Sequence, residues 1–90
     1  MVKKREVIRI DRKDNVLIAL KDLRKGMRLS IEGEEILLKE SIPRGHKISL
    51  RKIAKGELII KYGAPIGRAI REIKDGEHVH IHNMKGIKGR

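Results

Sequence analysis

Ninety residues carry 23 Lys and Arg against 12 Asp and Glu, a formal net charge of +11. The chain has no cysteine, phenylalanine or tryptophan and a single tyrosine, Tyr62. That excludes a disulfide framework and a thiolate site, and it removes the aromatic platforms on which single-stranded nucleic acids stack. One domain with an aliphatic core is expected, and no apolar run reaches the roughly 20 residues of a membrane-spanning helix.

The first eleven residues are highly charged around Val7, Ile8 and Ile10 and read as an edge strand or arm. Met1 is followed by no apolar stretch of the secretory kind, and a cytoplasmic setting is the simplest expectation. Abundant Lys, Arg, Glu and Ile with no glutamine lean towards a heat-adapted source. Asn15–Leu20 is a short apolar run behind turn-forming Asp14-Asn15 and reads as a buried strand.

A repeat follows. Leu23-Arg-Lys-Gly26, Ile42-Pro-Arg-Gly45, Ile53-Ala-Lys-Gly56 and Ile73-Lys-Asp-Gly76 each set an aliphatic three residues before a glycine. Alternating residues come next. Glycine can take the positive φ that closes a tight turn, so each unit reads as a turn feeding a strand. Aliphatics at the third position after glycine, and mostly at the fifth, mark the inward face. The glycines are unevenly spaced, which points to a compact all-β domain rather than a solenoid. Between the first two units, Gly33 in Ile31–Leu38 predicts a hairpin. Tyr62–Gly67, with two glycines and a proline, predicts a sharply bent loop whose amides can face an anion. Ala69–Ile73 is expected to make one helical turn, and 85–90 to be a frayed basic tail. The domain proper is placed at 12–84.

Three of the four histidines, His78, His80 and His82, alternate with Val79 and Ile81. On a strand this puts three imidazoles on one face and two aliphatics on the core side. One strand offers two good ligands to a metal ion, with a third to come from His46 or a partner's acidic residue. A solvated polar sheet face is the alternative. Arg44, His46 and Lys47 form a local cationic cluster able to hold a carboxylate, and His46 can move a proton near neutral pH. An exposed basic turn explains the same residues. The excess charge calls for an anionic partner. Nucleic acid is disfavoured for want of aromatic residues, although phosphate contacts alone would need only the charge.

Four segments now carry a resemblance. They are Asn15-Val-Leu-Ile-Ala-Leu-Lys-Asp-Leu23, Ile42-Pro-Arg-Gly-His-Lys-Ile-Ser-Leu50, Lys61-Tyr-Gly-Ala-Pro-Ile-Gly-Arg-Ala69 and Gly76-Glu-His-Val-His-Ile-His-Asn83. In this order they resemble the N-terminal SAF-type domain of the altronate/galactarate dehydratases, which has a β-clip fold. The resemblance implies a small subunit of a hydro-lyase that dehydrates a sugar acid, or a related 2-hydroxy acid, to a 2-keto-3-deoxy product. It implies Fe2+ or Mn2+, held mainly by a large catalytic part, so that the chain is either a free-standing small subunit, as in the related two-subunit sulfolactate lyases, or a fragment of a longer enzyme. Carried over by position, His46, His80 and His82 are the expected catalytic residues. Arg44, Lys47, Tyr62, Gly63 and Asn83 are expected at the anionic substrate, and His78, His80 and His82 at the metal. Two rival readings stand beside this one. The first is a non-catalytic basic β-module that binds nucleic acid or carbohydrate. The second is a domain that only caps or regulates its partner's site. No membrane partner is expected, and self-association is left open.

Overall fold

The computed structural model describes residues 5–87. It is all-β, with no helix among the described residues. Nine short strands follow in chain order: β1 (Val7–Ile8), β2 (Val16–Ala19), β3 (Arg28–Ile31), β4 (Glu34–Leu37), β5 (Lys47–Ser49), β6 (Leu58–Lys61), β7 (Ala64–Ala69), β8 (His78–Val79) and β9 (Met84–Gly86). They form an antiparallel sheet in the order β1-β2-β5-β8, a β3-β4 hairpin and a β6-β7-β9 sheet.

The repeat is real and has a common geometry. Met27, His46, Glu57 and Glu77 each donate their N–H to the carbonyl three residues back. Each turn places its glycine third, with φ between 85° and 91°, as a type II turn demands. The glycine N–H groups then reach out to Leu38, Ala19, Ala69 and Ser49, so every corner is stitched to another segment. The aliphatics that open the corners pair reciprocally: Leu23 with Ile42, and Ile53 with Ile73. Each pair of corners encloses one hairpin, β3-β4 or β6-β7. The chain is therefore two similar halves.

The core divides in the same way. Leu23, Leu29, Ile36, Leu38, Ile42 and Ile48 cluster with Val7, Leu17 and Ala19. Ile53, Ile59, Ala69, Ile73 and Val79 cluster with Val16. Strand β2 serves both, because successive side chains point to opposite faces.

Several expectations are corrected. Tyr62–Gly67 is no loop: Tyr62 and Gly63, with φ of 58° and 75°, are the two central residues of a tight hairpin turn, as Glu32 and Gly33 are in the other half. Ala64–Ala69 then runs as β7. The helical turn at Ala69–Ile73 does not form, because Ala69 belongs to β7 and Ile73 to the bridge with Ile53. Of the predicted tail, Lys85 and Gly86 lie in β9, paired with Arg68 and Gly67; 88–90 lie outside the described residues. Of the predicted arm, 1–4 also lie outside them. The rest of the arm joins the domain, with β1 at the sheet edge and Arg9 donating to the Asp14 carbonyl.

Candidate functional site

Strands β5 and β8 lie side by side, with Ile48 opposite His78 and Lys47 opposite Val79. Each follows a glycine corner. His46 comes directly after Gly45, and His78 comes two residues after Gly76. The register therefore brings His46 and His78 together across 32 positions of sequence, and His46 Nδ1 and His78 Nε2 share a hydrogen bond of 2.8 Å.

Beyond Val79 the strand stops, and here the alternation argument fails. His80–Asn83 form a turn in which the His80 carbonyl accepts the N–H groups of Asn83 and Met84, both at 3.0 Å. Ile81, expected in the core, is 81% exposed. The cause is Asn83, which is 3% exposed. Its Oδ1 accepts the His80 N–H at 2.9 Å, and its Nδ2 donates to the His78 carbonyl at 2.7 Å. With one backbone hydrogen bond at each polar end, Asn83 builds the turn.

The turn folds the imidazoles into a stack. His80 lies 4.7 Å from His46 and 5.3 Å from His78 between ring centroids, and His82 lies 5.5 Å from His78. The predicted trio divides between two sets of metal-capable atoms that lie within 4.8 Å of one another: His46, His78 and His80, and Glu40, His78 and His82. The third donor atom of each set comes from this chain. His46 was foreseen; Glu40 was not. Glu40 Oε2 accepts the His78 N–H at 3.0 Å, capping the edge strand. No motif marks Glu40. Its neighbour Lys39 donates to the Gly76 carbonyl at 3.0 Å, and this contact between halves brings it in.

Burial holds the pKa of His78 below the ordinary histidine value, and the charges of His46 and His80 add to the effect. His80 is lowered by burial and by His46 and Lys47. Both rings thus favour the neutral state that accepts a proton or binds a metal. Lys47 is half-buried, and its pKa is also lowered, by burial and by the neighbouring charge of Lys61. Neither lysine has a carboxylate partner among the described residues. Lys47 lies close enough to act on His80, and Lys61 close enough to act on Lys47; two cations without carboxylate partners on this side of the imidazoles favour an anion. Lys61 was missed because only the fold relates it to Lys47.

The remaining predicted residues lie elsewhere. Arg44 is exposed on the second corner, where its backbone N–H donates to Asp22 Oδ1 at 2.8 Å. Tyr62 is 64% exposed at its hairpin tip, with Lys61 Nζ 5.1 Å from the ring centroid. Gly63 has no free amide to offer: its N–H donates to Asp14 Oδ1 at 2.8 Å, and the Asp11 carboxylate stands at its Cα. Two carboxylates there repel an anion. A groove of about 760 Å3 runs between β1 and β3, is lined by Arg5, Arg9, Arg28 and Glu32 among others, and holds no histidine. No described helix is long and apolar enough to cross a membrane.

Compared with known proteins, residues 5–86 match the altronate/galactarate dehydratase SAF domain. The chain is 51% identical over 78 residues to the altronate dehydratase of Bacillus subtilis and 45% identical over 80 residues to that of Escherichia coli. These matches cover 87% and 89% of this chain but 16% of each relative. It is also 50% identical over 48 residues to the (2R)-sulfolactate sulfo-lyase subunit alpha of Chromohalobacter salexigens, covering 53% of this chain and 51% of that subunit.

Proposed function

The chain belongs to the altronate/galactarate dehydratase SAF domain family, and from that premise we propose that it is the SAF module of a hydro-lyase. Its substrate is a sugar acid such as altronate or galactarate, or a related 2-hydroxy acid, and it works with a separate, larger catalytic part. The observation that carries the reading is the histidine stack beside Lys47.

Dehydration of such an acid removes the proton beside the carboxylate and expels the neighbouring hydroxyl, leaving an enol that becomes the 2-keto-3-deoxy product. Negative charge grows on the carboxylate as the proton leaves. Lys47 and Lys61 draw the carboxylate in and oppose that charge. His46 and His80 are the proton carriers, and the His46–His78 hydrogen bond fixes how the His46 ring is turned. Asn83 acts as a positioning residue through the backbone of His78 and His80. The mixed donor set of Glu40, His78 and His82 suits a divalent ion of the Fe2+ or Mn2+ kind, which when bound would supply positive charge against the enediolate.

The test is reconstitution. The chain should co-purify with a large partner, and the pair should dehydrate one of a panel of sugar acids and 2-hydroxy acids in the presence of Fe2+ or Mn2+. Neither chain alone should do so. His46→Ala and His80→Ala should each lower turnover by about 100-fold or more with partner affinity kept. A pair that dehydrates none of the panel refutes the reading. Turnover that survives His80→Ala and His82→Ala, with only partner affinity changed, assigns the domain a capping role instead.

A further inference from the structure

The Glu40 side of the histidine stack differs from the His46 side in one respect. It opens on a cavity of about 270 Å3 lined by Glu40, Arg71, Glu72, Glu77, His82 and Asn83. In a chain of net charge +11, three carboxylates and an imidazole round one small cavity reverse the local sign. Arg71, the one cation in the lining, is tied to backbone by donating to the His82 carbonyl at 3.1 Å. Glu77 is occupied at its own corner, where Oε1 accepts the Lys74 N–H. Glu40 is held differently. One oxygen accepts the His78 N–H, while the other takes no hydrogen bond among the described residues.

We propose that Glu40, His78 and His82 bind a single divalent cation of the Fe2+/Mn2+ class, with His46 as the outer partner that orients His78. Their donor atoms lie within 4.8 Å of one another. Donors around one ion at about 2.0–2.2 Å stand roughly 3.0–3.5 Å apart, a closure that side-chain rotation supplies. Two imidazoles and one carboxylate form the donor set of non-haem Fe2+ and suit Mn2+, whereas three imidazoles, as in His46, His78 and His80, form a zinc set.

His78 belongs to both sets, yet a neutral imidazole has one lone pair. It therefore serves one ion at a time. When His78 Nε2–H donates to His46 Nδ1, the pair left for a metal is on Nδ1. That atom is the ring nitrogen nearer the backbone N–H already held by Glu40. A ligating histidine that gives its other N–H to a fixed acceptor is the usual arrangement around metals.

The inference deepens the proposed function by naming donors, and it rests on that reading only for the use made of the ion. The test is binding, measured on the full chain without a partner. MnCl2 and ZnCl2 are titrated separately by calorimetry, with loss of the free Mn2+ electron-spin signal as the second readout. Glu40→Gln keeps an oxygen to accept the His78 N–H and should fold. It should weaken Mn2+ binding by about 10-fold or more and leave Zn2+ within about threefold. His80→Ala, which belongs to the all-imidazole set alone, should do the reverse. His82→Ala, altered at an exposed position, should repeat the Glu40→Gln result and replaces it if that variant does not fold. Mn2+ affinity unchanged in Glu40→Gln or His82→Ala, or lost in His80→Ala, overturns the proposal, as does a wild-type chain that binds no Mn2+. Any of these leaves dehydration by the reconstituted pair to be decided by its own assay. Conversely, Mn2+ binding at Glu40 stands even where no acid is turned over.

Discussion

Replacing Asn83 by Ala separates the turn that shapes the site from the groups that fill it. The side chain is almost fully buried and makes two hydrogen bonds, to the His80 N–H and the His78 carbonyl. Alanine removes both and leaves two backbone groups without their partners. A hydrogen bond of this kind contributes about 1 kcal/mol net, and a stranded buried group costs about 1–3 kcal/mol. Water reaches the partly exposed His80, so the lower end applies there. The sum is about 2–4 kcal/mol. A chain of 90 residues has roughly 5–13 kcal/mol to lose, so Asn83→Ala should fold with its melting temperature lowered by about 10–25 °C.

Urea unfolding gives the free energy, and the imidazole C–H resonances of His78, His80 and His82 report whether the stack survives. Asn83→Asp is the informative companion. It keeps an acceptor for the His80 N–H but sets an anionic oxygen against the His78 carbonyl. It should therefore be less stable than the wild type at neutral pH, with the difference shrinking as pH falls through the raised value of the new carboxyl towards the ordinary value of about 4. The reasoning fails if Asn83→Ala lies within about 0.5 kcal/mol of the wild type with unmoved histidine resonances. Packing of Val79 and Met84 would then be holding the turn unaided.

Gly76→Ala should destabilise far more than Gly26→Ala. Both residues have a left-handed φ, costing about 1–2 kcal/mol with a Cβ, but a Cβ at Gly76 would lie 2.1 Å from the Leu37 carbonyl oxygen while one at Gly26 meets open space; urea midpoints of the two variants check the ordering. Asn15→Ala, which removes bonds of 2.9 Å and 2.8 Å to the Leu58 carbonyl and Ile60 N–H, should cost about 2–3 kcal/mol and raise amide exchange in β6 before β3. Metal-free stability should fall with acid below pH 6.5, the ordinary histidine value. The pKa values of His78 and His80 are lowered in the folded chain, so the unfolded state takes up protons first. Their contribution is complete above the unfolded value and is lost as pH falls through the folded values. Unfolding midpoints from pH 5 to 8 should show this slope, and His78→Gln should flatten it.

The four corners were readable because a chemical necessity marks them: the third position of a type II turn needs positive φ, and glycine supplies it. The hairpin at Gly33 was readable for a similar reason. Its counterpart at Tyr62-Gly63 was not, because Pro65 and Gly67 look like loop residues. Pro65 is tolerated in β7 because it lies beside the bulge at Ile59/Ile60, and β9 pairs only with Gly67, Arg68 and Ala69. No amide is needed from it on that side. The histidine strand was read past Val79 through His80, Ile81 and His82. Alternation assumes an extended chain, whereas Asn83 lies close enough in sequence to take the His80 N–H and end it. Glu40 and Lys61 were invisible for another reason. Glu40 reaches the site through its bond to the His78 N–H, from a segment with no pattern of its own, and only the fold sets Lys61 near Lys47.

This arrangement explains why the site lies where it does. Strand β5 closes the first half and β8 closes the second, each launched by the same kind of corner. Duplicated corners give the two strands matching exits, and antiparallel pairing sets those exits against each other at the seam. His46 and Lys47 arrive from one side, and His78, His80 and His82 from the other. Glu40 comes from the first half, held by its bond to the His78 N–H, and Lys61 comes from the hairpin of the second. Neither half contains a complete donor set: the all-imidazole set needs His46, and the mixed set needs Glu40. A divalent ion bound at either set bridges the halves and adds a contact next to the edge strand β8. Metal affinity and resistance of the β5-β8 pairing to local opening should therefore rise together, because binding to the closed seam alone stabilises it by mass action.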